Sequence, residues 1–253
     1  DLTTYKWSKL QFPTVMLTPD PRSAVQIACG VDGIFINGGY SISRTKGEIF
    51  RGKQHTDSWF LEDFENVDDK SVGLTSSYRW SKIKPSDPVY RTGATMVVKD
   101  TKAYSFGGTQ DVEDDDIIEG TFFNELYTVS LDKKPTWRLI TFDEGKEGPS
   151  PRDKAHMAMQ GHKLYIYGGA IEVGNKLLTL SDMYFLDISK KQLAWECLND
   201  NDPRTAELLA ECESDSSSCA ESDSDDETSA GKKKKKSTKP GANPLKQRFL
   251  ATA

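Results

Sequence analysis

The chain has 253 residues, of which 36% are apolar and 28% charged, and its net charge at pH 7 is −6. This length allows one large domain or two small ones, and the sequence lacks the run of about 18 apolar residues that would predict a transmembrane helix. Charge is concentrated near the end, because residues 200–227 hold eleven acidic side chains and one basic one, whereas residues 232–248 hold eight basic ones. The rest of the chain is mildly acidic, which argues against a nucleic-acid-binding surface.

Residues 1–10 are predicted to be the outer strand of a repeat unit. The hexapeptide YKWSKL at residues 5–10 nearly repeats YRWSKI at residues 78–83, so Trp7 and Trp80 occupy equivalent positions. The chain begins within this pattern, with neither an initiator Met nor a signal peptide. We therefore expect it to be a piece of a longer protein that has further units before Asp1.

Three repeat units follow, at about residues 21–84, 90–141 and 151–198. In each unit an arginine precedes a double glycine by 16 residues, an acid then lies two residues before an aromatic, and a tryptophan closes the unit. These positions are Arg22, Gly38, Gly39, Asp57, Trp59 and Trp80 in the first unit, Arg91, Gly107, Gly108, Glu125, Tyr127 and Trp137 in the second, and Arg152, Gly168, Gly169, Asp182, Tyr184 and Trp195 in the third. A threefold repetition at constant spacing indicates a repeat protein.

Each unit is predicted to form four short antiparallel strands. In the second unit we expect them near residues 92–98, 102–106, 124–130 and 136–140, where β-branched and aromatic residues lie between turn signals. Four such strands with a period of about 50–70 residues are typical of a propeller blade. The sequence therefore predicts an all-β propeller over residues 1–200, with about three blades plus one outer strand.

The repeated residues are predicted to hold the blades together. A double glycine allows positive φ and the close approach of a neighbouring blade, and a tryptophan supplies a large flat surface between blades. We expect the arginines to be partly buried donors that tie blade to blade. The alternative is that they form a ring that binds a ligand.

The pattern of double glycine, acid-x-aromatic and tryptophan is similar to the kelch repeat. More narrowly, PRS at residues 21–23, GGTQDVE at residues 107–113 and FFNELY at residues 122–127 resemble the kelch domain-containing protein 4 family. This resemblance covers about residues 1–230. It implies a cytoplasmic eukaryotic protein with more blades than are present here, and it brings no catalytic residues.

The loops between the second and third strands are the candidate partner-binding site, because these long loops emerge on one face of a rigid scaffold. The candidate residues are Arg44, Lys46, Arg51 and Lys53 in a basic first loop, and Asp111, Glu113, Asp114, Asp115 and Asp116 in an acidic second loop. We interpret this face as a charged surface that binds a protein partner. The alternatives are solubility or pairing of the two loops with each other. Metal binding is disfavoured, because the acidic loop lacks the alternation and the glycine of a calcium loop.

The sequence predicts no enzyme, no cofactor and no metal site. Its three histidines, His55, His156 and His162, form no recognisable catalytic pattern, and Cys29 is expected to be buried. The predicted function is a non-enzymatic interaction scaffold. The alternatives are a substrate receptor of a ubiquitin ligase and a propeller enzyme with its site in missing blades. We expect a protein partner, no nucleic acid, no membrane and no stable homo-oligomer of the full-length protein.

Residues 201–253 are predicted to be a disordered acidic and then lysine-rich tail, with a short helix starting near Pro203. Ser218, Ser222 and Ser224 each precede an acid by three residues, which favours phosphorylation by an acid-directed kinase. The four cysteines have no zinc-binding spacing and indicate a reducing, intracellular setting. Lys232–Lys236 would also suit nuclear import.

Overall fold

Three four-stranded antiparallel sheets form the body of the protein. The structure is a computed structural model that describes residues 1–30, 33–43, 51–63, 78–114, 117–132, 134–142, 148–173, 176–201, 203–208 and 245–250. Each sheet corresponds to one predicted repeat unit, and each has four strands hydrogen-bonded in order across a blade. The predicted all-β, propeller-like fold is confirmed.

The first unit contains a blade and a separate small hairpin. Its strands are β1 (Gln26–Gly30), β2 (Gly33–Asn37), β3 (Tyr40–Ser43), β4 (Arg51–Gln54), β5 (Ser58–Asp63) and β6 (Tyr78–Ile83). Strands β1, β2, β5 and β6 form the blade, and β3 pairs with β4 in the connection between the second and third blade strands. The predicted basic loop therefore contains a hairpin.

The second unit repeats this arrangement. Its strands are β7 (Thr95–Lys99), β8 (Lys102–Phe106), β9 (Thr109–Asp114), β10 (Ile117–Phe122), β11 (Leu126–Ser130) and β12 (Trp137–Ile140). Strands β7, β8, β11 and β12 form the blade, and β9 pairs with β10 in the predicted acidic loop.

In the third unit the hairpin is continuous with the blade. The strands are β13 (His156–Gln160), β14 (Lys163–Val173), β15 (Lys176–Asp187) and β16 (Trp195–Asn199). Strands β14 and β15 stay paired beyond a register shift between Tyr167 and Gly169. This extension corresponds in position to the separate hairpins of the first two units. All three connections between second and third blade strands are thus β-hairpins.

Two apolar clusters pack the blades face to face. One lies between the first and second blades and consists of Ala28, Phe35, Phe60, Ala103, Val129, Leu131 and Trp137. The other lies between the second and third blades and consists of Phe106, Leu126, Ala155, Leu164, Ile166 and Leu186. Trp195 joins the second cluster, with its ring centroid 6.1 Å from that of Phe106. Closing tryptophans of consecutive units therefore lie against the preceding blade.

Residues 1–10 form turns and irregular chain rather than the outer strand that the sequence predicts. Trp7 is fully exposed. The physical reason is the lack of a partner, because the third strand of every described blade already has a neighbour on each side. Cys29 is also exposed rather than buried, since it lies on the opposite face of β1 from the buried Ala28.

Two parts of the predicted disordered tail have regular structure. Residues 203–208 form a helix, as the sequence predicts, and β17 (Leu245–Leu250) pairs with β10. This helix has six residues, and no helix among the described residues is long and apolar enough to cross a bilayer. The unpaired edge of β10 offers the backbone groups that β17 uses.

Candidate functional site: the hairpin face of the propeller

A buried arginine ties together the strand ends within each blade. The guanidinium of Arg22 donates to the Gly38 carbonyl at 3.1 Å and to the Asp57 carboxylate. The second blade repeats this with Arg91, Gly107 and Glu125, and the third with Arg152, Gly168 and Asp182. Each arginine therefore holds the acid of the acid-x-aromatic motif in its own blade. The prediction that these side chains link one blade to the next is wrong.

The arginines are too deeply buried to present a ring to a ligand. Arg152 is 0% exposed and Arg91 is 5% exposed. Burial lowers the pKa of Arg91, and the hydrogen bond and charge of Glu125 oppose that change. Burial and the Glu125 charge raise the pKa of Tyr127 to about 12. These groups are therefore a charged, internally paired support for the blade.

Backbone hydrogen bonds two residues after each arginine link the blades. Ala24, Gly93 and Lys154 all have left-handed φ, at 50°, 69° and 52°. The Gly93 N–H donates to the Ala24 carbonyl at 3.1 Å, and the Lys154 N–H donates to the Gly93 carbonyl at 2.8 Å. These bonds form a chain from blade to blade, which is the role that the sequence assigned to the arginine side chains.

Asn37 joins the first blade to the second through a buried polar network that the sequence did not predict. Its side-chain amide donates to Gln26 Oε1 at 2.6 Å and to the Val89 carbonyl at 2.8 Å, and its oxygen accepts from Ser58. Gln26 in turn donates to Ser105 of the second blade. The only signal in the sequence is a polar residue that interrupts an apolar run just before a double glycine.

The hairpins of the three units lie on the same side of the propeller and surround one cavity. We call the surface made by β3–β4, β9–β10 and residues 169–180 the hairpin face. The cavity has a volume of about 240 Å³ and is lined by Tyr40, Thr92, Thr109, Gly120, Phe122, Asp153, Lys154, Glu172 and Leu177. All three blades thus contribute to one concave site, which is the usual form of a binding site on a rigid scaffold.

A small apolar cluster stiffens the hairpin face. Phe122 of β10 packs with Ile171, Leu178 and Leu180 of the third unit, and Leu208 of the helix packs against them. Phe122 is 6% exposed and Ile171 is 1% exposed. The hairpins of the second and third units are therefore packed against each other and form a preformed surface.

A comparison with protein families identifies the family of this chain. The family described as the KLHDC2/KLHL20/DRC7 Kelch-repeats domain matches residues 1–209. The chain belongs to this kelch-repeat family. Kelch-repeat domains are generally modules for protein–protein interaction, and they are generally not enzymes.

Similar proteins include two from Oryza sativa subsp. japonica. Adagio-like protein 3 is 37% identical over 76 residues, which is 29% of this chain and 11% of that protein, and Adagio-like protein 1 is 36% identical over 74 residues, which is 28% and 11%. The matched part thus spans about a tenth of the length of these relatives. Among solved structures, the one titled "Structure of YjhT" is 16% identical, with a TM-score of 0.48 over 72% of this chain and 53% of that one.

Asp153 gives the cavity of the kelch domain a buried hydrogen-bond acceptor. The residue is 7% exposed, and its Oδ2 lies 2.9 Å from the Nζ of Lys154. Within the described part of the chain, Oδ1 of Asp153 has no hydrogen-bond partner. A buried acceptor without a partner is costly, and the ion pair between Asp153 and Lys154 lies in the cavity lining.

Five of the nine predicted partner-binding residues lie on two hairpins of the kelch domain. Arg44, Lys46, Asp115 and Asp116 lie outside the described residues. The backbone places Arg51 in β4 and Asp111, Glu113 and Asp114 in β9. Lys53 of β4 is exposed and pairs with Asp20 at 3.2 Å.

The predicted phosphorylation sites and the predicted nuclear-import signal also lie outside the described residues. These residues are Ser218, Ser222, Ser224 and the lysine run 232–236. Among the residues that the structure does describe, no group of three or more His, Cys, Asp and Glu side chains could hold a metal ion.

His55 is a buried neutral group of the first hairpin connection. It is 2% exposed, and its Nε2 lies 2.9 Å from the Ser41 hydroxyl. Burial lowers the pKa of His55, and the positive charges of Arg22 and Lys53 lower it further.

We expect the stability of the kelch domain to fall as the pH drops through about 6.5, the ordinary pKa of histidine. Below that value the unfolded chain binds a proton at His55 more readily than the native state does, so protonation favours unfolding. The measurement is the free energy of unfolding in urea at pH 7.5 and pH 5.5. The difference between the two should shrink in the His55→Gln variant and stay unchanged in a His162→Gln control, whose side chain is exposed in the β13–β14 turn. Equal pH dependence in wild type and His55→Gln would contradict this.

Proposed function

We propose that the kelch domain holds a protein partner on the hairpin face and does not catalyse a reaction. The single observation that carries this proposal is the convergence of hairpins from all three blades on one cavity, supported by their own apolar cluster. The packed part of this surface pays a smaller entropy cost on binding than a surface that must first be ordered.

Charge supports recognition by a polar, charged partner. The second hairpin connection, residues 110–120, contains six acidic residues and no basic one, whereas the first, residues 40–55, contains four basic residues and one acidic one. Two neighbouring hairpins of opposite charge would orient a partner with the complementary pattern and speed its association.

We place the protein in the cytoplasm, close to the kelch domain-containing protein 4 family, with no nucleic acid or membrane as its ligand and no stable homo-oligomer. A role as the substrate receptor of a ubiquitin ligase would be a special case, and enrichment of ligase subunits with the partner would identify it. Phosphorylation at Ser218, Ser222 and Ser224 would add negative charge to an acidic segment.

The test compares two sets of charge removals in the full-length protein in cells. One variant replaces Asp114, Asp115 and Asp116 of the second hairpin connection with serine. The matched control replaces Asp100, Asp132 and Glu196 with serine. These residues lie outside the hairpin face: Asp100 in the turn between β7 and β8, Asp132 after β11, and Glu196 in β16. Co-purifying proteins are identified by quantitative mass spectrometry.

We expect a stoichiometric partner whose recovery falls roughly tenfold in the hairpin variant, equivalent to about 1.4 kcal/mol of binding free energy. Its recovery should be unchanged in the control. If no partner is recovered, or if both variants behave like wild type, the hairpin face is a solvated surface and the proposal fails.

A further inference from the structure

The outer edge of β10 is occupied by a distant segment of the same chain. Strand β17 pairs with it antiparallel over six residues, from Ile117 opposite Leu250 to Phe122 opposite Leu245. The sheet order is β17-β10-β9, so β10 would be an edge strand without β17. Unpaired strand edges are templates for the addition of another strand.

The two segments have opposite charge. Residues 245–250, LKQRFL, contain two basic residues and no acid, and they lie in a sheet with a hairpin that contains six acids. The register places Arg248 opposite Glu119. A segment with net positive charge is attracted to a hairpin with net negative charge, whereas an acidic segment is repelled by it. The hairpin therefore favours a basic strand over an acidic one.

The tether does not force this pairing. About 36 residues join position 208 to Leu245, and an extended chain of that length would reach more than about 100 Å. The length of the connection therefore does not restrict which strand edge the segment can reach. Because both strands belong to one chain, their pairing is intramolecular and does not depend on the protein concentration.

The strand that carries this edge also contributes to the cavity of the hairpin face. Gly120 and Phe122 of β10 line the cavity, together with Asp153, Lys154 and Glu172 of the third unit. A segment added to the outer edge of β10 would therefore pair with a strand that already belongs to the candidate site.

We propose that the outer edge of β10 is a strand-acceptor site for an extended basic segment, and that residues 245–250 fill it in cis. A partner that binds there would present a segment of the same kind and displace β17. The part of this inference that concerns a partner rests on the proposed function. The cis pairing itself can be tested on the chain alone.

The experiment measures binding of a labelled peptide to the full chain. The peptide covers residues 243–253, NPLKQRFLATA, and binding is followed by fluorescence anisotropy at low salt. The chain is compared with a variant carrying Lys246→Pro and Gln247→Pro. Because the N–H groups of adjacent strand residues point to opposite edges, this pair of prolines removes a ladder donor whichever residue faces β10.

We expect the peptide to bind the proline variant at least tenfold more tightly than wild type, because the variant leaves the edge of β10 open. A peptide with Lys246→Glu and Arg248→Glu should bind at least tenfold more weakly, and a peptide with the two prolines should not bind. Thermal unfolding of both chains shows whether they are equally folded.

Three outcomes would overturn the inference. They are equal binding to both chains, equal binding of the charge-reversed peptide, and self-association of the proline variant that the peptide does not reverse. If any of these occurs while the cellular partner still depends on Asp114, Asp115 and Asp116, the inference fails and the proposed function stands. If the peptide binds as expected but recovery of the cellular partner does not depend on Asp114, Asp115 and Asp116, the proposed function fails and the inference about the β10 edge stands.

Discussion

Replacing Arg152 with methionine is expected to lower the free energy of unfolding by about 3–5 kcal/mol, the usual effect of breaking a buried ion pair. Arg152 is 0% exposed and Asp182 is 3% exposed. The guanidinium also donates to the Gly168 carbonyl at 3.1 Å and to the Ser150 hydroxyl at 2.8 Å. Its removal leaves a buried carboxylate and a buried carbonyl without their donor. Urea unfolding monitored by tryptophan fluorescence measures the loss.

A second substitution tests the cause of this loss. The double variant Arg152→Met with Asp182→Leu removes both charges, so it should be more stable than Arg152→Met alone. Arg22→Met should be less damaging, because the side chain of Asp57 is 19% exposed whereas that of Asp182 is 4% exposed. If the double variant were the least stable of the three, packing rather than the unpaired charge would explain the effect.

The Gly107→Ala variant is expected to lose at least about 2 kcal/mol more than Gly161→Ala, because only the first replacement overpacks its surroundings. Both glycines have positive φ, at 70° and 60°, so both replacements strain the backbone by about 1–2 kcal/mol. At Gly107 the new Cβ would also lie 2.4 Å from the carbonyl oxygen of Arg152 in the next blade, whereas at Gly161 nothing lies within 4 Å.

The matched pair separates backbone strain from contact between blades. Free energies of unfolding of the two variants and of wild type, measured under the same conditions, are sufficient. Similar losses in both would mean that φ alone requires glycine at the end of the second blade strand. A much larger loss in Gly107→Ala would show that the double glycine is needed for the approach of the neighbouring blade.

In the second hairpin connection the structure differs from what the sequence predicts for the candidate site. Residues 110–120 are mostly charged, which predicts a long solvated loop, yet β9 and β10 form there. Phe122 lies at the end of that stretch, and its packing against Ile171 and Leu180 holds the hairpin in place. These partners belong to another repeat unit, so no pattern within the second unit predicts them.

The sequence by itself determined the three units, their four strands, and the positions of the double glycines and tryptophans. In the second unit, the strand predicted at residues 102–106 matches β8, Lys102–Phe106. These features are local, because strand periodicity, turn residues and constant spacing are written in consecutive residues.

Only the tertiary structure decided which groups those residues contact. The arginines could reach acceptors in their own blade or in the next one, and the spacing of 16 residues does not distinguish the two. The links between blades turned out to be backbone bonds such as that from Gly93 to Ala24. Strand β17 pairs with a strand more than 120 residues earlier in the chain. Such contacts depend on which surfaces the folded blades bring together, and that information is not carried by any single stretch of sequence.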